Sequence, residues 1–163
     1  MADPDEPSYT IEPVTERDLG ELLPLLRAYC DFYAASPSDE ALLELSRTLI
    51  ADPAREGMQL LARSSRSGSA GPAVGFATVY WSWDTTEAQR IGIMHDLYVT
   101  PEARGSGLAD RLIDACLARC AIHGASRLEW QTAPENTRAQ AVYDRVGGVR
   151  EPWLLYTAPV PRA

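Results

Sequence analysis

With 163 residues, 45% of them hydrophobic and 23% charged, the chain is long enough to bury a sizeable core without a disulfide or metal staple. Its 23 Asp and Glu against 15 Lys and Arg leave a formal charge of −8, the wrong sign for neutralising phosphates along a duplex, so nucleic acid is disfavoured as a partner and cationic ligands are favoured. No apolar run approaches the roughly 18 residues of a membrane span, and Asp3, Asp5 and Glu6 stand where a secretory signal would be basic, so no membrane association and a cytoplasmic location are expected.

Residues 1–7 read as a loose, polar, Pro-rich tail and residues 8–160 as one domain. The segment 9–14 (YTIEPV) predicts a short strand. Thr15 then caps a helix, with Asp18 as a weaker form of the Glu of a capping box. Leu19, Leu22, Leu23, Leu26 and Tyr29 or Cys30 recur at helical spacing, and that helix should end near Tyr33. A second helix starts after Pro37, turns Leu42, Leu43, Leu45, Leu49 and Ile50 inward, and stops before Pro53. Residues 58–62 (MQLLA) and 73–83 (AVGFATVYWSW) predict a strand pair, joined by a flexible connection over 63–71. Strict alternation over 90–99 (RIGIMHDLYV) puts Ile91, Ile93, His95, Leu97 and Val99 on one face. An amphipathic helix over 108–122 is closed by Gly124, and 128–131 forms a strand. A last helix over 137–146 ends at Gly147 and Gly148, and 153–157 (WLLYT) supplies a final strand. The three cysteines, Cys30, Cys116 and Cys120, read as small core residues in a reducing compartment, with no metal implied.

Two stretches carry chemistry. In 99–109 (VTPEARGSGLA) a strand passes through a Pro-containing turn into a Gly-rich loop that opens a helix, an arrangement that lets backbone N–H groups approach an anion, with Arg104 adding positive charge. It lacks the Gly-Lys-Ser/Thr of a P-loop and the third Gly of a dinucleotide fingerprint. Further on stands Asn136-x-x-Ala139-x-x-x-Tyr143-x-x-x-Gly147, with Ala139 and Tyr143 on one helix face. On these two motifs, on the preceding His95-Asp96-Leu97-Tyr98-Val99 with Pro101, and on the order of its elements, the chain resembles the GNAT superfamily of N-acetyltransferases.

The resemblance implies an α/β (α+β) fold, a single GNAT-like domain whose central mixed, mostly antiparallel sheet is splayed between two neighbouring parallel strands and flanked by about four helices. It implies acetyl-CoA as the cofactor. The backbone of Arg104, Gly105, Ser106, Gly107, Leu108 and Ala109 would cradle the pyrophosphate, and the exposed backbone of Leu97, Tyr98 and Val99 would pair with the pantetheine arm. Asn136, on the helix of Ala139, would hydrogen-bond that arm, and Tyr143 would lie beside the thioester sulfur.

An alkyl amine of pKa about 10.4 leaves only about one molecule in 2,500 unprotonated at pH 7, close to 4.6 kcal/mol of barrier, so the site needs a base. His95 and Asp96 stand where the family places its base or acceptor contact, and relatives often carry Glu where this chain has His95. Alternation sends the two side chains to opposite faces of the sheet, which leaves the base open between His95, Asp96 and a bridging water. Tyr143, a phenol of pKa near 10, suits protonation of the departing thiolate. The acceptor would be bounded by Tyr29 and Tyr33, by Tyr80, Trp81 and Trp83, and by Trp153, whose aromatic faces with nearby carboxylates suit an amine. The expected function is transfer of acetyl from acetyl-CoA to a primary amine by direct attack in a ternary complex. A small-molecule amine is the expected acceptor, and the pattern also looks like members acting on polyamines or diamines. A peptide or protein acceptor and a non-catalytic acyl-CoA sensor are the alternatives. Dimers are common in the family, so a homodimer is compatible with the resemblance.

Overall fold

β1 (Ser8–Pro13), β2 (Gly57–Arg66), β3 (Ser69–Asp84), β4 (Gln89–Val99) and β5 (Ala125–Glu129) lie side by side in chain order. The computed structural model describes residues 8–66 and 69–161; the tail expected over 1–7 lies outside them. The chain divides into two units, one running to Gln131 and the other beginning at Thr132. In the first unit, β1 to β4 are antiparallel neighbours, whereas β5 runs parallel to β4. Among the described residues there are four α-helices, α1 (Leu19–Phe32), α2 (Asp39–Ala51), α3 (Leu108–Ile122) and α4 (Thr137–Arg145), so the mixed, mostly antiparallel architecture is as expected.

Local chemistry accounts for the helix ends. The Asp18 carboxylate accepts from both the amide and the hydroxyl of Thr15 at 2.7 Å, closing a single 3₁₀ turn that leads into α1. Ser38 caps α2 by accepting from the Ala41 amide at 3.2 Å. Gly124 and Gly147 take positive φ just past α3 and α4, as a helix-ending glycine does. Along α1, Leu19, Leu22, Leu25 and Leu26 are buried and pack with Val14, Leu61 and Phe76 on one face of the sheet. Gly75, next to Phe76 and so on the opposite face, sits against Leu108 and Leu112 of α3, which buries Ile113, Cys116 and Cys120 as well.

The structure corrects several expectations. The connection over 63–71 is largely strand, because β2 runs on to Arg66 and β3 starts at Ser69; Ser and Gly content suggested a loop, but ladder pairing decides the matter. On α2, Leu45 is exposed while Ser46 is buried, its hydroxyl satisfied by the Leu42 carbonyl at 3.2 Å. β5 begins at Ala125 and ends at Glu129, earlier than the apolar residues alone suggested. The final strand over 153–157 does not form. Residues 149–161 carry no regular structure, and Trp153, Leu154, Leu155 and Tyr156 are between 70% and 86% exposed. An apolar, aromatic run has strand composition, but a strand exists only through a paired neighbour, and Pro152, Pro159 and Pro161 remove donors around this one.

Candidate active site

β4 is paired on both sides only in its first half. Its register with β5 runs from Arg90 opposite Ala125 to Ile93 opposite Glu129 and stops, while on the other side β3 accompanies it as far as Val99 opposite Gly75. The parallel neighbours thus part beyond Ile93, and the stretch Leu97, Tyr98, Val99 follows with no β5 residue in register. β4 then enters a 3₁₀ turn at Pro101–Ala103 and the Gly-rich loop. Gly105 and Gly107 have φ of +81° and +77°, a region that penalises any Cβ, and nothing lies within 4 Å of the position a Cβ would take at either.

Gly107 is the N-cap of α3 and offers no capping side chain, so the helix presents its positive end at an exposed turn. The Ser106 hydroxyl is held by the Ala103 carbonyl at 2.7 Å, and the Arg104 Nε donates to the Val99 carbonyl at 3.0 Å, which ties the loop to the end of β4. Leu108 is buried at 1% exposure and anchors the turn from below, and Ala109 is half-buried. Open space, backbone donors and a small-residue rim are what a diphosphate requires.

The register of β3 with β4 slips between Thr78 opposite Asp96 and Val79 opposite Met94, leaving His95 as an extra residue. This β-bulge overturns the expectation that His95 and Asp96 face opposite sides of the sheet. A bulged residue no longer alternates, and the His95 Nδ1 lies 3.1 Å from the Asp96 Oδ1. It also breaks the single face expected for Ile91, Ile93, His95, Leu97 and Val99: Ile91 and Met94 are buried, and His95 is exposed. Because an ionised carboxylate only accepts, the contact places the imidazole proton on Nδ1 and leaves Nε2 as the basic nitrogen. The His95 side chain is 65% exposed and that of Asp96 only 12%. The Asp96 hydrogen bond raises the His95 pKa above its ordinary value against the opposing effect of burial.

Two further elements close around this pair. From α1, the Tyr29 hydroxyl donates to the His95 carbonyl at 3.2 Å, pinning the bulge, and Tyr33 packs edge-on against Tyr29 with centroids 5.0 Å apart. From β3, the Tyr80 ring meets His95 edge-on at 5.5 Å. Burial, and then the charge of Asp96, push both phenols up, Tyr80 to about 12, so both stay neutral at any physiological pH. The role of Tyr29 in holding the bulge was not legible in the sequence, where only its aromatic character pointed to the site.

Two of the expected acceptor-site residues, Trp81 and Trp83, lie away from this cluster. Period-two alternation sends Tyr80 to one face of β3 and Trp81 and Trp83 to the other. Trp81 is buried, donates its indole N–H to the Pro53 carbonyl at 2.9 Å and stacks on His123, while Trp83 is 68% exposed beside Arg90. Neither indole joins the His95 cluster. In the second unit, Asn136 is the N-cap of α4, its Oδ1 accepting from the Ala139 amide at 3.2 Å, and Tyr143 is half-buried on that helix. Trp153, 85% exposed, packs into no core. Cys116 and Cys120 are buried with thiols pushed up by burial to about 12 and about 11, so neither is a nucleophile. Among the described residues no group of His, Cys, Asp and Glu is placed to hold a metal, and no helix is long and apolar enough to cross a membrane.

The sequence profile of the acetyltransferase (GNAT) family matches residues 23–148. An uncharacterised N-acetyltransferase of Bacillus subtilis, YhfO, is 27% identical over 130 residues, spanning 80% of this chain and 83% of the relative. The D-amino-acid N-acetyltransferase HPA3 of Saccharomyces cerevisiae is 34% identical over 76 residues, 47% of each chain. Among solved structures, the aminoglycoside N-acetyltransferase AAC(6')-Iy in complex with CoA superposes with a TM-score of 0.82 over 97% of this chain and 99% of that one, at 19% identity.

Proposed function

Because the chain belongs to the acetyltransferase (GNAT) family and is an acyltransferase, we propose that it moves the acetyl group of acetyl-CoA directly onto a primary amine of a small molecule. The observation that carries this reading is the sequence of parts along one strand: a base–carboxylate pair at the bulge of β4, an edge without β5 in register beyond it, and an open, uncapped glycine turn at the head of α3. Acetyl-CoA supplies the activated acyl group as a thioester. The turn from Arg104 to Ala109 holds its diphosphate, and Leu97 to Val99 line its arm. Asn136 caps α4 through its Oδ1 and keeps both N–H donors of its amide nitrogen for a contact to the arm.

In this reading the rims of Tyr29, Tyr33 and Tyr80 receive the amine, with the negative charge of Asp96 behind them favouring an ammonium ion. Asp96 orients His95, and the exposed Nε2 removes the proton, directly or through one water, as a carboxylate-oriented imidazole does in other acyl transfers. A backbone amide of the free strand edge, that of Leu97, stabilises charge building on the carbonyl oxygen. Tyr143 returns a proton to the departing thiolate, a transfer uphill by only about one or two pKa units. Two curated relatives with free amino acids in their names, a D-amino acid and thialysine, support a small-molecule acceptor.

The test is thiol release from acetyl-CoA with pools of polyamines, amino acids, aminoglycosides and short peptides. Release with one of the small-molecule pools is expected. Release confined to peptides would move the acceptor class, and a protein that binds CoA yet releases no thiol with any pool would be a sensor and not this enzyme.

A further inference from the structure

At the opposite end of β4 from the glycine turn, an open cleft of about 560 Å³ is lined by Trp83, Gln89, Arg90, His123, Gly124 and Ser126. Val99 lies nine steps along the strand from Arg90, about 30 Å at 3.3 Å per residue, so the cleft is remote from the diphosphate turn. Its His123 wall is braced from behind. Trp81 is buried and tied by its indole N–H to Pro53, and His123 stacks on it with centroids 4.4 Å apart and planes at 29°. The Arg90 guanidinium lies 5.9 Å from the ring centres of both Trp81 and Trp83, and one of its terminal nitrogens donates to the Ala54 carbonyl at 2.7 Å.

Two features of Arg90 are unexplained by the fold. In a chain of net charge −8 it has no carboxylate partner among the described residues, and its Nε–H is buried with no acceptor. The carboxylates nearby, Asp84, Glu87 and Glu129, are all turned onto Arg127. Burial and the charges of Arg90 and Arg119 hold the His123 imidazole below its ordinary pKa, which marks a locally positive field and leaves a neutral ring with an N–H to donate. Trp83, 68% exposed, offers an indole face beside that field.

We propose that this cleft binds a planar aromatic anion, its ring on the Trp83 indole and its carboxylate or phosphate on Arg90 and His123. A guanidinium with no carboxylate partner among the described residues, 5.9 Å from two indole ring centres, recognises a negative group, and the exposed Trp83 face gives a ring a surface to stack on. The site is independent of acetyl transfer.

The test uses one ring with three charges. The isotope-labelled full chain is titrated with indole-3-acetate, indole-3-acetamide and tryptamine, with acetate and inorganic phosphate as ringless anions, while the amide signals of Gly124 and Ser126 and the Trp83 indole N–H are followed. Indole-3-acetate should saturate these shifts and bind more tightly than the neutral amide, with tryptamine weakest. Trp83→Ala, a change at an exposed side chain, should weaken binding roughly tenfold, the worth of one stacked ring, and Arg90→Gln, checked by its melting curve, should abolish the preference for the anion. Phosphate as a ringless probe binding as well as indole-3-acetate would remove the aromatic part of the proposal. Absence of saturable shifts, equal binding to Trp83→Ala, or tryptamine binding at these signals as tightly as the acetate would overturn it.

Discussion

A histidine whose Nδ1 faces a carboxylate is a better base at its other nitrogen, and His95 meets Asp96 in that way. Its pKa lies above the ordinary value of about 6.5 because the Asp96 hydrogen bond outweighs the opposing effect of burial. In the proposed reaction the working form is the neutral ring, so kcat/KM should rise with pH and level off above that raised value. Asp96→Asn should shift the rising limb to lower pH and lower the plateau, as the ring loses both its charge partner and its orientation; pH–rate profiles of the two proteins check this. Stability moves the other way. Folding favours protonated His95, so its contribution is complete below the unfolded pKa and disappears as pH rises through the folded one, which denaturant titrations on either side would show. Tyr143→Phe keeps the ring and removes the proton: kcat should fall by roughly 100-fold or more while calorimetric affinity for CoA is unchanged.

At the scale of elements, two glycines fail differently. Gly107 sits at φ +77° with open space around it, so Gly107→Ala strains the backbone by about 1–2 kcal/mol and puts a methyl group where α3 offers its amides. CoA affinity should drop with a modest loss of melting temperature. Gly92 lies in the paired half of β4, where a Cβ would approach the Cys120 Sγ to 2.6 Å and Leu128 and Trp81 to 3.2 and 3.3 Å. Gly92→Ala should therefore destabilise by about 1–3 kcal/mol through overpacking and leave CoA affinity of the folded protein intact. Thermal melts with and without CoA separate the two. The glycine loop was legible in the sequence because a Gly-rich turn between an apolar strand and an amphipathic helix is a local pattern. The bulge at His95 was not, since alternation within one strand says nothing about the register of the strand it pairs with.

The whole molecule carries a charge of −8, and the two substrates proposed for it have opposite signs. Raising ionic strength shortens the screening length from about 30 Å at 0.01 M to about 8 Å at 0.15 M, so kcat/KM for a cationic amine should fall while KM for the anionic acetyl-CoA also falls as repulsion is screened. Steady-state kinetics across a salt series with each substrate saturating in turn would show both slopes; salt-independence of both would mean that local contacts, and not the overall field, govern encounter. Helix boundaries, including Leu108–Ile122, and the two motifs were decided by the sequence alone, because caps, turns and periodicity act between residues close along the chain. Which aromatic side chains gather at His95, why Asp96 reaches its ring, and where Arg90 is left without a counter-charge were decided by tertiary structure. Such contacts depend on which residues of distant strands come into register, and the run at 153–157, strand-like in composition yet exposed, shows that composition by itself supplies no partner.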